Sequence, residues 1–221
     1  MKPVVLAVFA HPDDEAFGPG GTLALLSKTH DVYIVTVTGG EAGKCSIDHP
    51  NEDLHSVRMR ELHESAKILG VKEVDFFGYK DGTLSNNLYL GLAEKILHKL
   101  KELKPEIIIT FDNLGVSGHI DHITVSLATT FALSKTNFNS ELWYFCIPDE
   151  EQEIMSEGYF IYFPHGHKKS DVDKVIDVST VWDQRIGALH AHSSQKHDGD
   201  KILTIIENFP KEEYFFLYNP N

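Results

Sequence analysis

Two short stretches of this chain hold residue types that can do chemistry. The first is Ala10-His11-Pro12-Asp13-Asp14-Glu15, a histidine and three carboxylates within five residues. Groups of this kind repel one another and lose hydration on burial unless a cation or hydrogen-bond donors compensate. A divalent metal meets that need; the alternative is that Asp13 or Asp14 caps the helix that follows. The second stretch runs from Asp112 to His122, with His119 and His122 three apart and Asp121 between them. At a helix opening such a pair lies on neighbouring sides and can converge on one point. Asp121 can accept the ring N–H of either histidine and fix its tautomer. The alternative here is a solvent-facing first turn in which Asp121 is favoured by the helix dipole.

The elements that must position these clusters follow from hydrophobic pattern. Val4 to Phe9 is a continuous apolar run, the signature of a strand buried on both faces, and the first cluster stands at its carboxyl end. In open α/β sheets ligands bind in the crevice outside that edge. Further strands are predicted at Val32 to Thr38, followed by the loop Gly39-Gly40-Glu41-Ala42-Gly43, at Val74 to Tyr79, followed by Asp81-Gly82-Thr83, and at Glu106 to Phe111, followed by the second cluster. Helical periodicity covers Gly18 to Lys28, Asn51 to Leu69 with Gly70 closing it, Leu88 to Leu103 before Pro105, and the segment from the second cluster to Leu133. The alternation implies right-handed βαβ crossovers: an α/β fold with a Rossmann-like, mostly parallel sheet flanked by helices. Two independent His/Asp groups then fall at the same sheet edge, which counts against both bland alternatives.

The carboxyl-terminal third is less regular. Strands are expected at Leu142 to Cys146, Tyr159 to Phe163 and Lys174 to Val178, and a solvated helix start at Asp149 to Glu153. Pro164 to Lys169, with His165 and His167, reads as an exposed hairpin tip because no carboxylate ligand is near, the alternative being a cover over the cleft. Val181 to His190 is helical, and Ile202 to Phe209 and Glu213 to Leu217 are apolar enough to dock. No linker, repeat or low-complexity segment divides residues 1–221, so one domain is expected.

Composition narrows the partners. With 33 acidic against 20 basic residues the formal net charge is −13, which disfavours nucleic acid. Cys45 and Cys146 have neither metal-type spacing nor a disulfide framework, so a reducing cytoplasm is the expected location. There is no signal-peptide pattern and no run of membrane-spanning length, so no membrane partner is expected. Gly18-Pro19-Gly20-Gly21 invites a dinucleotide-binding reading, but its spacing is not Gly-x-Gly-x-x-Gly. Arg58 lies on or beside an apolar helical stripe; pairing with Glu61 or Glu64, or lying along the helix, is its simplest role.

The motifs also carry a resemblance. His11-Pro12-Asp13-Asp14-Glu15, followed roughly a hundred residues later by His119-Ile120-Asp121-His122, resembles the PIG-L/LmbE-type zinc deacetylase family. Thr38-Gly39-Gly40-Glu41-Ala42-Gly43, the Arg58 to Leu62 helix with Leu69-Gly70, Asp81-Gly82, and Ala191-His192-Ser193-Ser194-Gln195 support it. The resemblance implies a Rossmann-like fold holding one zinc ion and hydrolysing an N-acetyl group, usually on a small glucosamine-containing conjugate. It makes His11, Asp14 and His122 the metal ligands, a set that leaves zinc open to substrate; iron(II) suits the same donors. It makes Asp13 the general base, with His119, oriented by Asp121, stabilising the oxyanion or protonating the amine. Glu15 becomes a residue that hydrogen-bonds the ligand turn or the substrate, and Arg58 and His192 become substrate-side residues. Where some relatives have a tyrosine two residues before the second motif's first histidine, this chain has Ser117. An amidase taking a larger acyl group is an alternative, as is a non-catalytic metal- or dinucleotide-binding module, against which intact Asp13, His119 and Asp121 argue. A homo-oligomer is left open.

Overall fold

The strand β1 (Val4–Phe9) is buried from Val5 to Phe9 without exposed surface, as expected of an unbroken apolar run in an interior strand of a sheet. The computed structural model describes residues 2–47, 52–157 and 162–218. After β1 come α1 (Asp14–Phe17), α2 (Gly20–Ser27), β2 (Asp31–Thr38), α3 (Leu54–Leu69), β3 (Glu73–Tyr79), α4 (Asn86–Leu103) and β4 (Ile107–Phe111). The single turn α5 (Gly115–Gly118), α6 (Ile120–Ser134), β5 (Glu141–Cys146), α7 (Asp149–Met155), β6 (Lys174–Asp177), α8 (Trp182–Ala191), α9 (Lys196–Ile206) and β7 (Glu212–Leu217) complete the order.

The seven strands form one sheet in the order β3-β2-β1-β4-β5-β7-β6. The first five are parallel, and β7 and β6 are added antiparallel. Strand order reverses between β1 and β4, so the two chemical clusters, one after each of these strands, open into the same switch-point crevice. The predicted α/β architecture is the one observed. Thr38 continues the β1–β2 ladder past the strands by donating its N–H and Oγ1–H to Ala10 O, at 2.8 and 2.9 Å, which fixes the start of the first cluster against β2.

Several local expectations need correction. The helix expected over Gly18 to Lys28 is α2, which starts two residues later, at Gly20, and is preceded by the separate single turn α1. The expected strand at Tyr159 to Phe163 lies largely outside the described residues; Tyr162 and Phe163 are not in a strand. The helix predicted from Asn51 starts at Leu54 with Asp53 as its cap, Asp53 accepting the Ser56 amide at 3.0 Å; Asn51 itself lies outside the described residues. The acidic start of α7 is not uniformly solvated, since Glu151 and Gln152 are buried.

The glycine-rich turn before α2 is occupied by protein. The Glu213 carboxylate accepts the Gly21 and Thr22 amides at 2.8 and 2.7 Å and pairs with Arg185 Nε at 3.1 Å. A Cβ at Gly21 would stand 2.5 Å from Val178 Cβ, so glycine is needed there for packing and not for a phosphate. The dinucleotide reading fails because the helix N-terminus a pyrophosphate would use already holds a carboxylate. Glu213→Ala, which strands Arg185 and two amides in the core, is expected to cost about 3–5 kcal/mol. A denaturant midpoint equal to that of the wild type would refute this account.

Glu151 makes a second stability prediction. Burial, partly countered by Arg185 and Lys169, pushes its carboxyl from 4.5 up to about 7. The folded state therefore binds more protons than the unfolded one between these values, and stability falls as pH rises through that window. Glu151→Gln is expected to remove this slope, matching the wild type in thermal midpoint at pH 5 and exceeding it at pH 8. Parallel pH profiles for the two proteins would rule it out.

Candidate active site

The chain leaves β1 through a strained turn. Asp13 has φ 113° and ψ −26°, a left-handed region that non-glycine residues seldom adopt. It occupies the cap position of α1, yet its side chain makes no cap bond, and Asp14 Oδ2 instead accepts the His11 amide at 2.7 Å. The helix-cap alternative for these carboxylates therefore does not hold. Across the crevice, His119 caps α6 by accepting the Asp121 amide on Nδ1 at 3.2 Å, and His122 follows in the first turn. His122 stacks on Phe111 at 4.1 Å and donates Nδ1–H to Gly115 O at 3.1 Å. Gly115 has φ +69°, and a Cβ there would sit 2.9 Å from His122 Cβ, so only glycine lets the loop pass so close.

The two clusters meet. His11 Nδ1 lies 3.1 Å from His122 Nε2 and 3.6 Å from Asp14 Oδ2, and Asp14 Oδ1 is 3.3 Å from His122 Nε2. His119 stands beside them, its ring 4.8 Å from that of His11 and 5.1 Å from that of His122. The other His11 nitrogen, Nε2, faces Asp81 Oδ1 at 3.0 Å and Asp121 Oδ2 at 3.4 Å.

Residues 6–133, which contain both clusters, match the model of the family described as PIG-L: GlcNAc-PI de-N-acetylase. The chain belongs to this family. It is 30% identical over 229 residues to a Bacillus anthracis protein named "Probable N-acetyl-alpha-D-glucosaminyl L-malate deacetylase 2", with 97% of this chain and 94% of that protein covered. The structure is similar to N,N'-diacetylchitobiose deacetylase from Pyrococcus horikoshii, with TM-score 0.73 at 20% identity over 98% of this chain and 84% of that one. It is similar also to GalB, the 4-carboxy-2-hydroxymuconate hydratase of Pseudomonas putida, with TM-score 0.75 at 17% identity over 100% and 98% of the two chains. These structural likenesses show a shared fold, and one fold carries different reactions, so chemistry must be argued from the side chains.

Among the described residues of this deacetylase-family chain, two groups of side chains could hold a metal: His11 with His119 and His122, and His11 with Asp81 and Asp121. The second group is already engaged. Asp81 accepts the Ala42 amide at 3.0 Å, and Asp121 accepts those of Gly82 and Leu84 at 2.8 and 3.1 Å. These carboxylates fix the His11 ring from behind and direct Nδ1 at the cleft, the usual carboxylate–histidine support of a metal ligand. Two imidazole nitrogens and the Asp14 carboxylate remain on the open side. Electrostatics also favour a cation there. Burial pulls the His11 ring down, but the hydrogen bonds it donates to Asp121 and Asp81 and the charge of Asp14 override it and push its pKa up to about 10. Burial likewise works against Asp14, yet His122 and His11 hold its carboxyl far below the usual range. Although burial raises Asp81 as well, His11 keeps it at about 2.

The remaining sequence-predicted residues divide. Asp13 faces the cluster, and burial, opposed chiefly by Arg58, pushes its carboxyl up to about 6. His119 is pushed down to about 4 by burial and by its neighbour His11, so it is neutral at pH 7. With Nδ1 accepting the Asp121 amide, its proton is on Nε2. The expectation that the Asp121 side chain orients His119 is corrected: that carboxylate serves His11, Gly82 and Leu84, and only the Asp121 backbone touches His119.

The substrate-side assignments of Arg58 and His192 change, and of the two roles expected of Glu15 the structure shows the bond to the ligand turn. Arg58 does not pair with Glu61 or Glu64; Nη2 donates to Asp13 Oδ2 at 2.8 Å and to Pro12 O, and Nη1 donates to Gly40 O at 2.6 Å. Its fork is taken up by protein acceptors, making it the charge partner of Asp13. Glu15 and His192, each 1% exposed, lie beneath the cleft and cannot meet a substrate. Glu15 Oε1 accepts from Ser65 Oγ at 2.5 Å and pairs with His192 Nε2 at 2.6 Å, while Oε2 accepts the strained Asp13 amide at 3.0 Å. Glu61 holds the next turn by accepting from Ser193 Oγ, Ser194 N and Ser194 Oγ. Asp81 and Asp112 were missed as site residues; each is a carboxylate one or two positions beyond a strand at the functional sheet edge, which is the signal that could have found them.

Proposed function

We propose that this chain is a metal-dependent hydrolase that removes the N-acetyl group from an N-acetylglucosamine-type conjugate, releasing acetate and a free amine. The observation that carries this reading is the convergence of His11 Nδ1, His122 Nε2 and Asp14 to within 3.6 Å of one another beside Asp13. His11, Asp14 and His122 would hold the metal, and two nitrogens with one carboxylate suit zinc, with iron(II) next. When bound, such a metal polarises the acetyl carbonyl and brings a water's pKa to about 7. Asp13, poised near neutrality and held by Arg58, takes a proton from the attacking water and returns it to the departing nitrogen. His119 Nε2–H donates to the carbonyl oxygen as it gains charge. A neutral imidazole N–H suits this task.

The relatives' names supply the substrate class, an acetylated amino sugar conjugate. The net charge of −13 argues against nucleic acid as substrate. No helix among the described residues is long and apolar enough to cross a membrane, and both cysteines are free, as a reducing cytoplasm would keep them.

The test is acetate release from a panel of N-acetylglucosamine conjugates, run with metal-stripped protein and again after one equivalent of zinc or iron(II). Metal-restored release is expected. Stoichiometric metal binding without acetate from any conjugate would reject the N-acetyl assignment and turn attention to larger acyl groups.

A further inference from the structure

We propose that Asp112 and His167 are positioning residues for the ligand His122, so that the carboxyl-terminal part of the chain, outside the family-matched span 6–133, helps to build the metal centre. The inference rests on the reading of His122 as a metal ligand.

Asp112 is the first residue after β4 and is 5% exposed. Its Oδ1 accepts the Leu114 and Val116 amides at 3.0 and 2.9 Å, and its backbone carbonyl accepts the Gly115 amide at 3.0 Å. These bonds shape the loop whose Gly115 carbonyl receives Nδ1–H of His122. That bond leaves Nε2 as the lone-pair nitrogen, the atom facing His11 and Asp14.

The same loop stores strain. Val116, β-branched, has φ 60° and ψ −61°, a conformation costing about 1–3 kcal/mol that persists only when its surroundings enforce it. Asp112 bonds the Val116 amide directly, and a loop released from it can relax, carrying the Gly115 carbonyl away from His122.

Asp112 is itself held by His167, whose Nε2 lies 2.8 Å from Oδ2. A carboxylate only accepts, so the histidine donates. His167 is not the exposed hairpin tip expected from sequence. Its backbone bridges to Pro148, with His167 N donating to Ile147 O and Asp149 N donating to His167 O, both at 3.0 Å. Its ring packs edge-on against Phe216 at 4.6 Å. Just upstream the chain passes over the same loop, since a Cβ at Gly118 would stand 2.5 Å from Tyr162 O. The relay therefore runs from His167 through Asp112 to the Gly115 carbonyl and His122.

His167→Phe keeps a ring against Phe216 and removes the donor, whereas His167→Gln keeps a donor able to reach Asp112. Zinc affinity by chelator competition and the absorption spectrum of the cobalt-loaded protein are the readouts. For His167→Phe the zinc dissociation constant is expected to rise about 10–100-fold with an altered cobalt spectrum, and His167→Gln is expected to stay near wild type. Wild-type affinity and spectrum in His167→Phe would overturn the proposal. So would equal losses in both variants, because the hydrogen bond would then not be what matters. His122→Ala separates this from the underlying reading: if it binds zinc as the wild type does, His122 is not a ligand; if it loses zinc while His167→Phe does not, the positioning role alone is wrong.

Discussion

Asp13→Asn is expected to lower kcat about 10²–10⁴-fold while one metal ion stays bound per chain. The asparagine keeps size and can still accept from Arg58, whose Nη2 lies 2.8 Å from Asp13 Oδ2 in the wild type. What it loses is the capacity to take and return a proton. The environment around Asp13 is arranged for that capacity. Burial raises its carboxyl toward neutrality, Arg58 stops the rise from going so far that the group is protonated at pH 7, and the carboxyl settles at about 6. The turn that presents it is strained at φ 113° and is held by Glu15 on its amide and by Arg58 on Pro12 O and the carboxylate. Steady-state kinetics with metal analysis on the same sample checks the prediction. Loss of metal in parallel with activity would mean that Asp13 is a ligand or a folding element, and full activity would remove it from the mechanism.

Metal uptake is expected to release one proton from His11 and to tighten about tenfold for each unit of rising pH, a change of roughly a thousandfold from pH 6 to 9. In the metal-free protein the ring's pKa is pushed up to about 10, so below that value it carries the proton that a metal on Nδ1 must displace. The sign follows: affinity rises with pH and levels off near 10. Asp14 adds nothing to the slope, being held ionised throughout by His122 and His11. Asp81→Asn removes one of the two carboxylates behind His11 and is expected to move the levelling-off to lower pH. Chelator competition across pH, together with calorimetry in buffers of different protonation enthalpy, measures the slope and the proton count. A pH-independent affinity with no proton release would show that the metal does not bind at His11.

Much of the site's location was legible in the amino-acid order. Val4 to Phe9 and Glu106 to Phe111 read as strands of a buried parallel sheet, observed as β1 and β4, and each leads into a stretch that holds histidine and aspartate. Local pattern is enough for that inference, because strand burial and the position of a strand's end are recorded in neighbouring residues. The same holds for α3, whose Asp53 cap and closing Gly70 bracket its apolar periodicity. The pairing of His11 and Asp14 with His122 followed from the family resemblance, and the sheet order supplies its physical reason by setting β1 beside β4.

Partners distant in sequence were another matter. Residue types reveal that Arg58, Glu15 and His192 are polar groups needing partners, but not that Arg58 reaches Asp13, or that Glu15 and His192 lie beneath the cleft. Nor do they reveal which nitrogen of His11 faces the metal side and which faces Asp81 and Asp121. Glu213 fills a helix N-terminus 191 residues away in sequence, and His167 crosses 55 positions to reach Asp112. Sequence alone determined which segments fold and where their chemical groups emerge, since those depend on local periodicity and strand ends. Tertiary structure alone decided which groups satisfy one another, because a buried charge or amide takes whichever partner the packed sheet and its crossovers bring within hydrogen-bonding distance.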